Sequence, residues 1–136
     1  MISKFDLAKA LRDQAKITAD ANSIKLVTNG EGFSPGVNQT IIEEAVIFGD
    51  DNSIGLAGAT SDMQIGIFQL SLHVPKNETK WDGLKIIDIL QAAFPRELKL
   101  TFNSQLVVIM DSSTGPMFQN DTHFIFILSV SFSVIN

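Results

Sequence analysis

"GIFQLSLHVPKNETKWDGLKIIDILQAAFP", residues 66–95, decides how the chain folds. Its first half alternates. Phe68, Leu70, Leu72 and Val74 share one face of a strand over 63–74, opposite Ile65, Ile67, Gln69, Ser71 and His73, so one side is core. Gly66 inside that strand predicts a bulge or a close backbone approach. Pro75 stops the strand, and the period then changes. Thr79 can cap a helix with Asp82 at its positive end. Gly83, Ile86, Ile87, Leu90, Ala93 and Phe94 follow at helical spacing as one unbroken stripe, and Pro95 prevents continuation. A strand followed directly by a helix whose stripe is fully apolar predicts a helix over about 80–94 seated on a sheet.

Working outward, Phe5, Ala8, Leu11 and Ala15 form a first amphipathic stripe over 3–15, with Ser3 and Asp6 placed as a helix start and the helix ending before the polar "DANS" at 20–23. Strands are predicted at "IKLVT", 24–28, and "QTIIEEAVIFG", 39–49. The latter is two-sided, with Glu43 and Glu44 on opposite faces. Between them "NGEGFSPG", 29–36, has loop chemistry and holds Phe33 as an anchor. Residues 50–62, "DDNSIGLAGATSD", read as a long polar loop of a length usually functional or disordered rather than merely connecting. After a turn region over "RELKLTFNS", two strands, 105–111 and 122–135, flank the loop 112–121. In the last, Phe124, Phe126, Leu128, Val130, Phe132 and Val134 share a face. A strand so apolar must be paired within its sheet or become an aggregation edge. The order of helix, strands, helix, strands without regular alternation predicts a single α+β domain over 1–136, its twisted sheet mainly antiparallel and packed by the N-terminal and central helices.

Composition narrows function mostly by exclusion. The chain has 136 residues, 45% hydrophobic and 18% charged, enough for a real core and too apolar for disorder. It has no cysteine, which removes disulfides, thiolate metal sites and thiol nucleophiles. No apolar run approaches the length of a membrane span and the N-terminus lacks the pattern of a secretory signal, which predicts a cytoplasmic protein without membrane contact. The net charge is −5, and no Lys or Arg stands between Lys25 and Lys76, where Glu31, Glu43, Glu44, Asp50, Asp51 and Asp62 fall. Such a face serves solubility and repels a phosphate backbone.

The catalytic inventory is thin. His73 and His123 lack partners at metal or triad spacing and read as surface histidines, although Asp121 and His123 share a strand face. Nucleophile-elbow, phosphate-loop, dinucleotide and zinc-protease motifs are absent. Glu43 and Glu44 point apart and cannot act from one cleft. Asp50, Asp51 and Asn52 begin like a calcium loop, but no glutamate stands at the twelfth position. Trp81, off the main stripe, reads as a packing residue. No catalytic residue, metal or cofactor is predicted.

In the order of "TNGEGFSP" (28–35), "EEAVIFGDDNSIGLA" (43–57), residues 64–95 and "TGPMFQNDTHFIFILSVSF" (114–132), the chain resembles the phage tail terminator family over most of its length. The most specific part is the Gly-x-Phe-Gln strand, the proline stop, a polar turn and a helix closing on Phe-Pro. The resemblance implies a virion tail protein without enzyme activity, assembled in the host cytoplasm. It implies a homo-hexameric ring that caps the tail tube, ends tube polymerisation and presents a surface to the head-side connector protein, with DNA only passing through the lumen. The expected contacts with copies, tube protein and connector are Asp50, Asp51, Asn52, Ser53, Thr114, Phe118, Gln119 and Asn120. The alternatives are a ligand-binding or enzymatic α+β domain with a cleft beside Gln69, His73 and Trp81, or another phage neck or tube subunit.

Overall fold

The computed structural model describes residues 2–28, 38–54, 61–77 and 80–135. The loop expected over 29–36 with Phe33, and the expected cap Thr79, lie outside them. The elements are α1 (Lys4–Ala21), β1 (Lys25–Thr28), β2 (Ile41–Ile54), β3 (Ser61–Pro75), α2 (Lys80–Ala92), β4 (Lys99–Phe102), β5 (Gln105–Thr114), β6 (Phe118–Gln119) and β7 (His123–Ile135).

The two most regular strands of the sequence are neighbours. β3 and β7 run antiparallel in register from Met63↔Ile135 to Pro75↔His123, so their apolar faces coincide. Phe68, Leu70, Leu72, Val74, Leu128, Val130, Phe132 and Val134 are all inaccessible to solvent. Both helices cover that face. Phe94, at the exit of α2, packs its ring 5.7 Å from Phe68. Gly83 lets α2 close on β7, because a Cβ there would lie 2.3 Å from the Phe126 ring. Leu7, Leu11, Ala15 and Ala19 bring α1 into the same core. Ser3 caps α1 as its position predicts, accepting a hydrogen bond from the Asp6 N–H at 3.2 Å. The helix then continues through Ala21, beyond the expected end, and closes with the Asn22 side chain donating to the Thr18 carbonyl at 2.9 Å.

The strand order is β1-β2-β3-β7-β5-β4, with β6 beside the start of β7. The expectation of a mainly antiparallel sheet is corrected: the sheet is curled and mixed, within a roughly α+β architecture. β1 pairs with β2 in parallel, Lys25↔Ile41 to Thr28↔Glu44. Hairpin reasoning between sequence neighbours missed this, although residues 29–40 match the dozen or so residues that a parallel crossover requires. A second correction concerns 96–104, where a hairpin joins β4 to β5 through Asn103 and Ser104, with φ of 48° and 68°. Positive φ at both central residues belongs to the two-residue turn that matches strand twist, and it normally advertises itself by a glycine that is missing here.

β2 and β3 also outrun their expected ends. β2 passes through a bulge between Phe48 and Asp51 and pairs on to Ile54↔Ser61, so only 55–60 of the expected 50–62 loop remain, outside the described residues. The buried Gln64 side chain holds the bulge, its amide donating to the carbonyls of Gly49 at 2.9 Å and Ile65 at 2.6 Å. Gly66 is the close approach expected from sequence: a Cβ there would stand 2.5 Å from the Ile47 carbonyl oxygen and 2.7 Å from the Phe132 ring. On the covered face of β2, Glu44 is buried and faces the Arg12 guanidinium of α1 at 3.5 Å.

Because the obstacle at Gly66 is backbone rather than a mobile side chain, Gly66→Ala is expected to destabilise the protein by about 1–3 kcal/mol, the range of overpacked cores. A lowered urea midpoint with unchanged slope would record it.

Candidate functional site

Among the described residues, no helix covers the second face of the sheet. On it Ile47, Ile65 and Ile67 form an exposed column across β2 and β3, at 51%, 39% and 41% of full exposure, and Met110 lies beside them at 51%. These side chains border a shallow apolar depression of about 370 Å³. Next to it, β7 contributes Ser129, Ser131 and Ser133 in register with Gln69, Ile67 and Ile65. β2, β3, β5, β6 and β7 contain no Lys or Arg, so every cation of the chain sits on the helices, β1, β4 or the connections. An apolar column beside a hydroxyl column without positive charge is suited to contact with protein and unsuited to gripping nucleic acid.

Seven of the eight sequence-predicted contact residues lie in two groups near the two ends of the β3–β7 ladder, and Thr114 lies near its middle. Asp50, Asp51, Asn52 and Ser53 lie in β2 rather than in a loop, Asp50 within the bulge and the others beyond it, with Asp51 opposite Gln64 and Ser53 opposite Asp62. Phe118 and Gln119 form β6 and pair with Ile125 and Phe124 at the other end. Phe118 is exposed. Thr114 ends β5, opposite Leu128. Asn120 has a local task, since its Oδ1 accepts from the backbone N–H groups of Thr122 at 2.9 Å and His123 at 2.7 Å and so fixes the hairpin tip. The β3–β7 ladder separating the groups spans roughly 40 Å at about 3.3 Å per residue.

Sequence reasoning missed a groove of about 360 Å³ between α2 and the β5–β7 arm, lined by Trp81, Leu84, Thr114, Gly115, Met117 and Phe126. Its signal was Trp81, which is 65% exposed off the packed stripe. The cleft imagined beside Gln69, His73 and Trp81 does not form, because Gln69 and His73 occupy the face opposite the one on which α2 lies. The reading of both histidines as surface residues is also corrected: His123 is 1% exposed, and the ring nitrogens of His73 are buried. Their strands bring the two rings to 6.4 Å centre to centre, whereas Asp121 lies exposed at the tip. Burial lowers the His73 imidazole below the usual 6.5, with Glu43 opposing and His123 reinforcing the shift. Among the described residues no three His, Asp or Glu side chains converge as metal ligands.

The chain that folds into this curled sheet, covered on one face by two helices, matches the family of phage tail terminator proteins over residues 6–132. The chain belongs to that family. Membership makes it a structural component of the phage tail that associates with other tail components. Among curated proteins none matches. Ten solved chains match, and one of them has a TM-score of 0.77 at 17% identity over 98% of this chain and 96% of its own, a likeness of fold.

If the α2 groove is a contact surface rather than core, Trp81→Ser is expected to change stability by only about 0.5 kcal/mol, as surface substitutions do. Phe94→Ala in the core is expected to cost about 3–5 kcal/mol. Parallel denaturant titrations of the two variants distinguish them.

Proposed function

We propose that the protein closes the end of the phage tail tube as a homo-hexameric ring, stops addition of further tube subunits and offers its opposite rim to the head-side connector protein. The observation that carries this reading is that the backbone of 50–54 and the tip at 118–120 adjoin the two opposite ends of one continuous β3–β7 ladder. A protein that meets the tube on one side and the connector on the other needs two such ends held at a fixed distance, and a paired antiparallel ladder is a stiff spacer. The absence of Lys and Arg from β2, β3, β5, β6 and β7 supports a lumen through which DNA passes without binding. Side-to-side contacts between copies use apolar surface that the monomer leaves uncovered, including the column at Ile47, Ile65 and Ile67. Assembly takes place in the host cytoplasm and the ring stays in the virion. No enzyme activity is part of this reading.

Tail tubes grown with the purified protein present are expected to stop at capped ends, each showing a ring in negative stain. Deleting residues 52–60 is expected to leave a folded protein that no longer caps. Capping undiminished by that deletion would contradict the assignment of this end, and unlimited filaments grown from the purified protein alone would mark it as a tube subunit instead.

A further inference from the structure

The histidine pair lies where three parts of the chain meet. His73 is in register with Ile41 of β2 on one side and Ile125 of β7 on the other. Neither of its ring nitrogens has a hydrogen-bond partner, and both are buried. His123, in contrast, has both nitrogens engaged. Its Nε2 lies 3.0 Å from the Gln39 carbonyl, just ahead of β2, and its Nδ1 lies 2.7 Å from the Thr122 hydroxyl at the hairpin tip. A carbonyl only accepts, so Nε2 carries the proton and Nδ1 of the neutral ring accepts from Thr122. A proton added to Nδ1 has a destination as well: it donates to the Thr122 oxygen, whose own hydrogen turns to Asn120 Oδ1 at 3.3 Å. His123 therefore keeps its contacts in either state. His73 has no group to receive a second ring proton.

We propose that the His73–His123 pair is an acid-opened latch: with His73 neutral the start of β2 closes against β3 and the β7 tip, and a proton on His73 releases residues 38–44 and the 120–125 tip. The charged and titratable groups around it are few. Glu43 comes from β2, one cross-strand pair from His73, and favours the proton. His123 comes from β7 and opposes it. Lys76, beyond the end of β3, has its ammonium 5.9 Å from the Phe124 ring centre, and Asp121 is exposed at the tip. The walls are Ile41 and Ile125. Burial, the largest influence, weakens proton binding in the closed form below that of an ordinary imidazole. The open form binds a proton with ordinary affinity, so the latch is fully closed above about pH 6.5 and opens as pH falls from there toward the lower pKa of the closed form. Each pH unit in that window multiplies the opening equilibrium by up to about ten. The device is independent of the capping role.

Hydrogen exchange of the full chain at pH 7.5 and 5.0, corrected for intrinsic rates, reads the opening directly. Amides of 41–44 and 123–125 are expected to lose protection by up to about tenfold per pH unit, while 68–72 and 128–132 keep theirs. His73→Phe, which removes the titrating group at similar size, is expected to abolish the pH dependence. Equal protection at both pH values, or the same loss in the variant, overturns the proposal. Should the variant fail to fold, NMR titration of the His73 ring protons in the unaltered protein decides it: a midpoint below 6.5 is expected, and one at or above 6.5 overturns it.

Discussion

Everything in this molecule depends on the register between β3 and β7. Thirteen consecutive pairs align two strands whose alternate residues are apolar, and this alignment puts Phe68, Leu70, Leu72 and Val74 on the same side as Phe126, Leu128, Val130 and Phe132. A slip of one residue would turn one set outward and leave the helices facing either Gln69 and Ser71 or Ser129 and Ser131. Each large side chain so displaced forfeits about 1.5–3 kcal/mol of burial, and four of them together, about 6–12 kcal/mol, match the whole stability of an ordinary domain. Burial therefore excludes any slip by an odd number of residues, and the remaining elements take their places from the paired strands.

The same constraint shapes the outside. Because one face is filled by α1 and α2, the other is left to strands, and its residue types follow the alternation: isoleucines on β2 and β3, serines on β7. Because the ladder is long and straight in register, whatever lies at its two ends is kept apart. The bulge at 49–50, clamped by Gln64, turns the β2–β3 arm at one end, and the Asn120 turn closes the other. Two separated ends and an uncovered face are what the proposed capping role draws on, and no group of three His, Asp or Glu placed to hold a metal is found among the described residues.

The core was legible in the sequence because its signals are redundant. The dozen alternating residues of β7 and the stripe from Gly83 to Phe94 are long enough that periodicity alone identifies them. Short elements were not. β4 has only "KLTF" to announce it, and its turn uses Asn103 and Ser104 without a glycine. The parallel partner β1 was visible as a strand but not as a crossover, since pairing is a tertiary choice. Asp50 to Ser53 have poor strand propensity and are drawn into β2 by pairing with β3, which overrides local preference. The burial of His73 and His123 left no trace in a pattern of polar and apolar letters, because an imidazole at a strand end reads the same whether water or Ile41 lies beside it.

In the proposed role the β3–β7 ladder spans from one tail component to another. A reconstruction of the assembled phage neck at side-chain resolution tests this. The ladder is expected to align with the tail axis, with residues 50–54 and 118–120 touching different neighbouring proteins. A ladder lying across the axis, or both ends meeting the same neighbour or open solvent, would contradict it.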